Sequence, residues 1–197
     1  DHGVCVEGVS AYPSDVTRQM VKSLLEGKAA INAIAGVTAA RIRVVDIGVD
    51  FDFPEMENLD ARKITCSTAN MAEGPAMTQE QVLNAIAVGM EIGEEEAAKG
   101  VELIAIGEIG IGNTTAASAI ISTITGVPVS TVTGRGTGLD NCGLNRKVAV
   151  IEKAIAINQP DPSDPLDVLM KLGGLEIAGL VGVILGATIH RIPIVID

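Results

Sequence analysis

Apolar positions recur along this chain in two alternating rhythms. Short runs rich in β-branched residues, at 41–47 (RIRVVDI), 101–106 (VELIAI) and 192–196 (IPIVI), have the length and composition of buried strands, and 62–66 reads as a shorter one. Between them apolar residues return every three or four positions, the period of a helix with one face on a core. Ser14 is placed to cap the first such helix, with Val16, Met20, Val21, Leu24 and Leu25 on one face and Gly27 as its stop. The pattern restarts at Lys28. Thr78 and Gln81 form a capping box for a helix over 79–99, in which Val82, Ile86, Met90 and Ala97 face inward and Glu94, Glu95 and Glu96 face water. A helix over 116–124, capped by Asn113 and Thr114, and another over 144–158 follow. Strand and helix in this order predict an α/β fold: a doubly wound, mostly parallel sheet flanked by helices, formed by one domain over 1–197.

The most apolar stretch lies near the end, LEIAGLVGVILGATIH. A membrane span needs about 20 uninterrupted apolar residues, whereas Glu176 and His190 bracket 13. It therefore reads as a buried helix in which Gly179, Gly182 and Gly186 permit close approach, followed by a last strand ending in Asp197.

Charge narrows the choice of partners. The 197 residues carry a net charge of −11, with 25 acidic against 14 basic residues, which argues against a general nucleic-acid or anionic-membrane surface. A bound phosphate must then be held locally. The cysteines, Cys5, Cys66 and Cys142, are odd in number and widely spaced, a pattern that suits neither zinc nor a disulfide framework and fits a reducing cytoplasm. The loop bearing Asp50, Asp52, Glu55 and Glu57 lacks the spacing of a calcium loop and reads as solvated. The first residue, Asp1, is not an initiator, so the expectation is a piece of a longer chain.

Two glycine-rich segments carry the candidate chemistry. The first, GEIGIGNTT from Gly107, joins a strand to a helix, so free amides around Gly110 and Gly112 and a helix N-terminus would collect at the carboxyl edge of the sheet. Such a turn can equally serve only to seat a helix on a sheet. The spacing matches neither the dinucleotide fingerprint nor the P-loop. The second, TGRGTGLDN, includes Gly134 and Gly136, and Lys147 follows it in the next helix. A lysine on a helix is usually solvated, but here it could add a charge to a bound phosphate. Two loops and a lysine favour a phosphate-bearing small molecule and leave the reaction open.

DHGV at Asp1, VTRQMV at Val16, VVDIGV at Val44, GEIGIGNTTAASA, GRGTGLD, AIAINQP, DPLDVLMKLGGLEIAGLVGVILGA and RIPIVID occur in an order that resembles the nicotinate-nucleotide:dimethylbenzimidazole phosphoribosyltransferase family. The resemblance runs through essentially the whole chain. It implies a Rossmann-like large domain, a homodimer, and transfer of phosphoribose from nicotinate mononucleotide to 5,6-dimethylbenzimidazole in cobalamin lower-ligand assembly, with no metal or other cofactor. By similarity Glu108 falls on the carboxylate near the ribose. Gly110, Gly112, Asn113, Thr114, Gly134, Gly136 and Lys147 fall near the phosphate and ribose, and Tyr12, Met20 and Ile109 fall on the slot for the aromatic base. Family members begin before the DHGV block and continue past PIVID, and their principal general-base glutamate lies in that later part. The resemblance thus implies a chain that binds substrate weakly and turns over little. A non-catalytic binding module and a phosphoribosyltransferase for another aromatic acceptor are the alternatives.

Overall fold

Strand pairing is parallel, as the alternation of strands and helices predicts, but the strands are short and fall into two separate ladders. The computed structural model describes residues 1–196, and Asp197, the expected end of the last strand, lies outside them. In the first ladder β1 (Val44–Asp46) pairs with β2 (Leu59–Ala61), Val44 opposite Leu59. In the second, β3 (Ile104–Ala105) pairs with β4 (Ile194–Val195), Ile104 opposite Ile194. The strand expected over 62–66 is displaced to β2. Residues beyond it still follow the edge of β1, through the Arg62 amide to the Asp46 carbonyl at 2.9 Å and the Ile64 amide to the Ile47 carbonyl at 3.0 Å, without regular pairing.

Helices make up most of the remainder: α1 (Val16–Leu25), α2 (Ala30–Thr38), α3 (Gln79–Ala98), α4 (Asn113–Thr125), α5 (Val129–Val132), α6 (Asn141–Asn158), α7 (Pro165–Leu172) and α8 (Leu175–Ile189). Their starts follow from local chemistry. The Thr78 hydroxyl accepts from the Gln81 amide at 3.2 Å while the Gln81 side chain accepts from the Thr78 amide at 2.8 Å, the reciprocal cap expected from the sequence. Asp140 caps α6 by accepting from the Gly143 amide at 2.7 Å. At α7 the Asp164 carboxylate accepts from the Leu166 and Asp167 amides, with Pro165 in the first turn where no amide is needed. The first helix departs from expectation: Asp15, not Ser14, precedes it without a side-chain cap, and the face turned inward carries Thr17 and Val21. Met20, expected inward, is 36% exposed.

The most extensive helix pair is α3 with α8. Glycines on both helices meet, so the two backbones nearly touch. A Cβ on Gly89 would lie 2.8 Å from the Val183 amide nitrogen, and one on Gly93 would lie 2.8 Å from that of Ala187. The small residues of α8 are therefore used within the chain, on α3. A continuous core runs from this pair through Ala119 of α4, Ile151 and Ala154 of α6 and Leu169 and Leu172 of α7. Among the described residues, no helix is long and apolar enough to cross a membrane.

One corner corrects the expectation that all three glutamates at the end of α3 are wet. Glu96 is buried, receiving Arg43 Nη1 at 2.8 Å, Lys99 Nζ at 2.9 Å and a further bond from Arg41. Arg43 also binds Asp60 of β2 and Glu95, and so ties the first ladder to α3. Burial alone would favour the neutral acid, but the hydrogen bonds from Lys99, Arg41 and Arg43 outweigh it and hold the Glu96 pKa down to about 2. A depressed carboxyl pKa stabilises the fold above the ordinary carboxylate range of about 4.3, and that contribution is lost as pH falls toward 2. Glu96→Gln is expected to lower the melting temperature at pH 7 and to flatten its fall between pH 4.5 and 2, read by thermal melts across that interval.

Candidate functional site

The two glycine segments face each other. Between them lies a cavity of about 150 Å³, lined on one side by Gly110, Gly112 and Thr114 and on the other by Gly136 and Thr137, with Val9 and Ser10 closing an end. The first turn leads into α4, whose N-cap is Gly112 at φ +100. Asn113 and Thr114, expected as caps, are instead the first residues of the helix. Only glycine takes this backbone conformation without strain, and a Cβ there would also lie 2.8 Å from both Cys5 Sγ and His2 Cβ. The amides of Gly110, Gly112, Gly136 and Thr137 have no intramolecular partner among the described residues. They are donors in search of an acceptor.

Lys147 completes this arrangement, and its position overturns the solvated reading of its sequence context. It is wholly buried on the inner face of α6, with Nζ 2.7 Å from Thr114 Oγ1. A Cβ on Gly136 would lie 3.2 Å from Nζ, so the ammonium sits directly behind this glycine and Thr114, which line the cavity while Lys147 itself does not. No carboxylate pairs with it among the described residues, and burial alone pushes its pKa below the ordinary lysine value. A buried cation with one neutral hydrogen bond and no counter-ion is costly to the fold. An anion in the cavity would supply what the protein does not.

The back of the first turn is gripped by buried and half-buried groups that do not line the cavity. The Ile111 amide donates to Thr17 Oγ1 at 3.0 Å, and Thr17 donates in turn to Asp1 Oδ1 at 2.5 Å. Cys5 Sγ donates to the Ile111 carbonyl at 3.1 Å. His2, whose ring lies against Gly112, is 2.6 Å through Nε2 from Glu176 Oε1 at the start of α8. Burial favours the neutral form of Glu176, yet the neighbouring His2 holds its pKa below the ordinary range.

Other residues singled out in the sequence lie around this centre. The Glu108 carboxylate is exposed and does not line the cavity, but accepts a bond from Nδ2 of Asn113, which does, while Asn113 Oδ1 accepts from the Thr114 amide at 2.7 Å. Gly134 is exposed and does not line the cavity. Tyr12, Met20 and Ile109 are 55%, 36% and 38% exposed, and none of them lines it. Ser10 and Thr137 were not singled out, although their hydroxyls are 3.0 Å apart and the Ala11 amide donates to Thr137 Oγ1 at 2.8 Å, joining the 9–12 segment to the second glycine loop. Their only sequence signal is a hydroxyl residue beside a glycine or a turn.

A second hollow, of about 390 Å³, lies under the acidic loop and is lined by Asp46, Phe53, Met56, Leu59 and Lys63. Lys63 seals its floor by donating to the Val49 carbonyl at 2.7 Å and that of Phe51 at 2.5 Å. Among the described residues no group of three or more His, Cys, Asp or Glu side chains is placed to hold a metal ion.

Comparison with known proteins gives these features a context. The model of a family described as phosphoribosyltransferase matches residues 1–197. The chain is 52% identical over 197 residues to the nicotinate-nucleotide–dimethylbenzimidazole phosphoribosyltransferase of Geobacter sulfurreducens and 55% identical to that of Chloroflexus aurantiacus, in each case over its whole length and 56% of the relative's. It thus spans a little over half the length of the curated relatives it matches. The crystal structure of CobT from Thermus thermophilus superposes with a TM-score of 0.94 at 43% identity, covering 100% of this chain and 59% of that one.

Proposed function

The chain belongs to the nicotinate-nucleotide:dimethylbenzimidazole phosphoribosyltransferase family, and from that premise we propose that its cavity holds the phosphoribosyl donor, nicotinate mononucleotide, for transfer of the sugar phosphate to 5,6-dimethylbenzimidazole. The observation that carries this reading is the buried, counter-ion-free Lys147 ammonium beside Thr114 and Gly136, where the two glycine turns converge. A phosphate there would accept from Lys147 and from the free amides of Gly112 and Gly136. Gly110 and Asn113 border the sugar, and Gly134 lies at the outer edge of the second loop.

The ribose would then point toward Asn113, whose side chain binds Glu108. In the proposed reaction the bond between the anomeric carbon and nicotinate breaks as a benzimidazole nitrogen attacks the opposite face. The acceptor's other nitrogen gives up its proton, and the products are α-ribazole 5′-phosphate and nicotinate. Positive charge grows on the sugar in the transition state, and the Glu108 carboxylate would stabilise it. Tyr12, Met20 and Ile109 offer apolar surface for the flat acceptor. No residue of this chain is assigned as the base that takes the acceptor's proton.

The chain is further proposed to pair with a second copy through the stripe left uncovered on α8, where Val181, Leu185 and Ile189 are 36%, 46% and 62% exposed.

The test is calorimetric titration with nicotinate mononucleotide, with inorganic phosphate as competitor, followed by chromatography of the mixture with dimethylbenzimidazole. The expected result is saturable, phosphate-competed binding with slow or no release of nicotinate. Failure of both nicotinate mononucleotide and phosphate to bind at millimolar concentration would sink the reading.

A further inference from the structure

The turn that borders the cavity has three successive amides, at residues 110–112, with different fates. The middle one, on Ile111, is held to the rear by Thr17 Oγ1 at 3.0 Å, and the outer two, on Gly110 and Gly112, have no intramolecular partner. Thr17 can accept from Ile111 because its own proton is committed elsewhere, to Asp1 Oδ1 at 2.5 Å. The second Asp1 oxygen accepts from the Asp50 amide at 2.9 Å, so the carboxylate is itself fixed. Thr17 is 1% exposed and Asp1 8% exposed, and neither lines the cavity. A carboxylate-backed hydroxyl is a stronger acceptor than a free one, since the donated proton leaves more negative charge on the oxygen. The chain from Asp1 through Thr17 to Ile111 crosses from the start of the described residues to α1 to the turn, three segments far apart in sequence.

Nothing in the packing of α1 requires this hydroxyl. Val21, one turn further on, fills the same inward face with an apolar side chain. Without the bond, the Gly110–Ile111 peptide would be held only at its carbonyl, by the Asn113 amide at 3.1 Å, and a tilt about that contact would bring the Ile111 amide into competition with those of Gly110 and Gly112 for the direction facing the cavity.

We propose that Thr17 and Asp1 are positioning residues for the phosphate site: together they hold the Ile111 amide away from the cavity and so aim the Gly110 and Gly112 amides at the anion. The inference rests on the reading of the cavity as a phosphate site and adds residues that do not themselves touch the ligand.

Thr17→Val keeps the shape of the side chain and deletes both hydrogen bonds, and Thr17→Ser restores them. Titration of each variant with inorganic phosphate, nicotinate mononucleotide and dimethylbenzimidazole, in one preparation, separates positioning from general loosening. Thr17→Val is expected to weaken phosphate and nicotinate mononucleotide at least tenfold and to leave dimethylbenzimidazole within twofold. Thr17→Ser is expected to return both anions to within threefold of the parent. Unchanged anion affinity in Thr17→Val, or an equal loss for all three ligands, would overturn the proposal.

A measurement on the unaltered protein serves where Thr17→Val fails to fold. On addition of inorganic phosphate, the amide resonances of Gly110 and Gly112 should move and that of Ile111 should stay, and a leading shift at Ile111 would overturn the proposal. If the parent chain binds no phosphate at all, the site reading falls and this inference with it, an outcome distinct from a binding-competent Thr17→Val.

Discussion

Lys147→Met is expected to weaken binding of nicotinate mononucleotide by about 10- to 150-fold while raising the melting temperature of the ligand-free protein. Both effects come from one feature, a fully buried ammonium whose single neutral partner is Thr114 and which has no carboxylate. Bonds from a charged donor to an ionised acceptor contribute about 1.5–3 kcal/mol, so their loss from a site this small weakens binding by about 10- to 150-fold. Methionine fills nearly the same volume, and exchanging a buried charge for a well-packed apolar side chain is often neutral or stabilising.

The pH dependence has a definite sign. Burial pushes the Lys147 pKa below its ordinary value. The unfolded chain keeps that proton up to about pH 10.4, whereas the ligand-free folded protein releases it earlier. In that interval the unfolded state binds more protons, so the stability of the ligand-free protein rises with pH. Lys147→Met should remove this rise. Saturating phosphate should also remove it, because a bound anion favours the charged amine. Calorimetric melts of parent and variant from pH 7 to 10, with and without phosphate, check both signs. A variant that binds nicotinate mononucleotide as tightly as the parent would end the assignment of Lys147 to the anion.

What could be read from the sequence depended on whether the signal was local. The capping box of Thr78 and Gln81 and the glycine punctuation of both turns are local, and each appears in the structure where the residues put it, whereas the inward face of α3 is shifted: Val82 is buried as expected, but Ala85, Gly89 and Ile92 lie deeper than Ile86, Met90 and Ala97. That the two turns share one cavity is a property of the fold, and it agrees with the single phosphate-bearing ligand that two loops and a lysine suggest. The burial of Lys147 and Glu96 was invisible because a charged residue on a helix reads as solvated by default. Lys147 is buried because α4 and the second glycine loop fold over α6, and Glu96 because Arg41, Arg43 and Lys99 converge on it. The grip of Asp1 and Thr17 on Ile111 escaped for the same reason, as it joins positions more than ninety residues apart. Strand lengths failed differently. β-branched runs mark where a strand can form, but its partner sets how far pairing extends, and here each partner supplies only two or three residues.

The largest loss of stability is expected from the smallest change, Gly182→Ala. On α8 a Cβ at this position would lie 2.9 Å from the Cα of Gly89 and closer still to the Ile86 carbonyl oxygen of α3. Both are backbone atoms inside a helix, so no side chain can swing aside, and the two helices would have to separate along the most extensive interface of the molecule. Overpacking typically costs about 1–3 kcal/mol where side chains can adjust. With rigid backbone on both sides, at least the upper end of that range is expected, about 3 kcal/mol. Helix propensity opposes this, since alanine in place of a mid-helix glycine favours the helix by about 1 kcal/mol, but the steric term exceeds it.

Gly36 in α2 supplies the control. An added Cβ there meets nothing within 4 Å, so only the propensity term acts and Gly36→Ala should stabilise by up to about 1 kcal/mol. Urea unfolding of the two variants, with m-values compared to confirm the same transition, should therefore give shifts of opposite sign for an identical chemical change. A Gly182→Ala protein as stable as the parent would mean that α3 and α8 do not pack backbone to backbone.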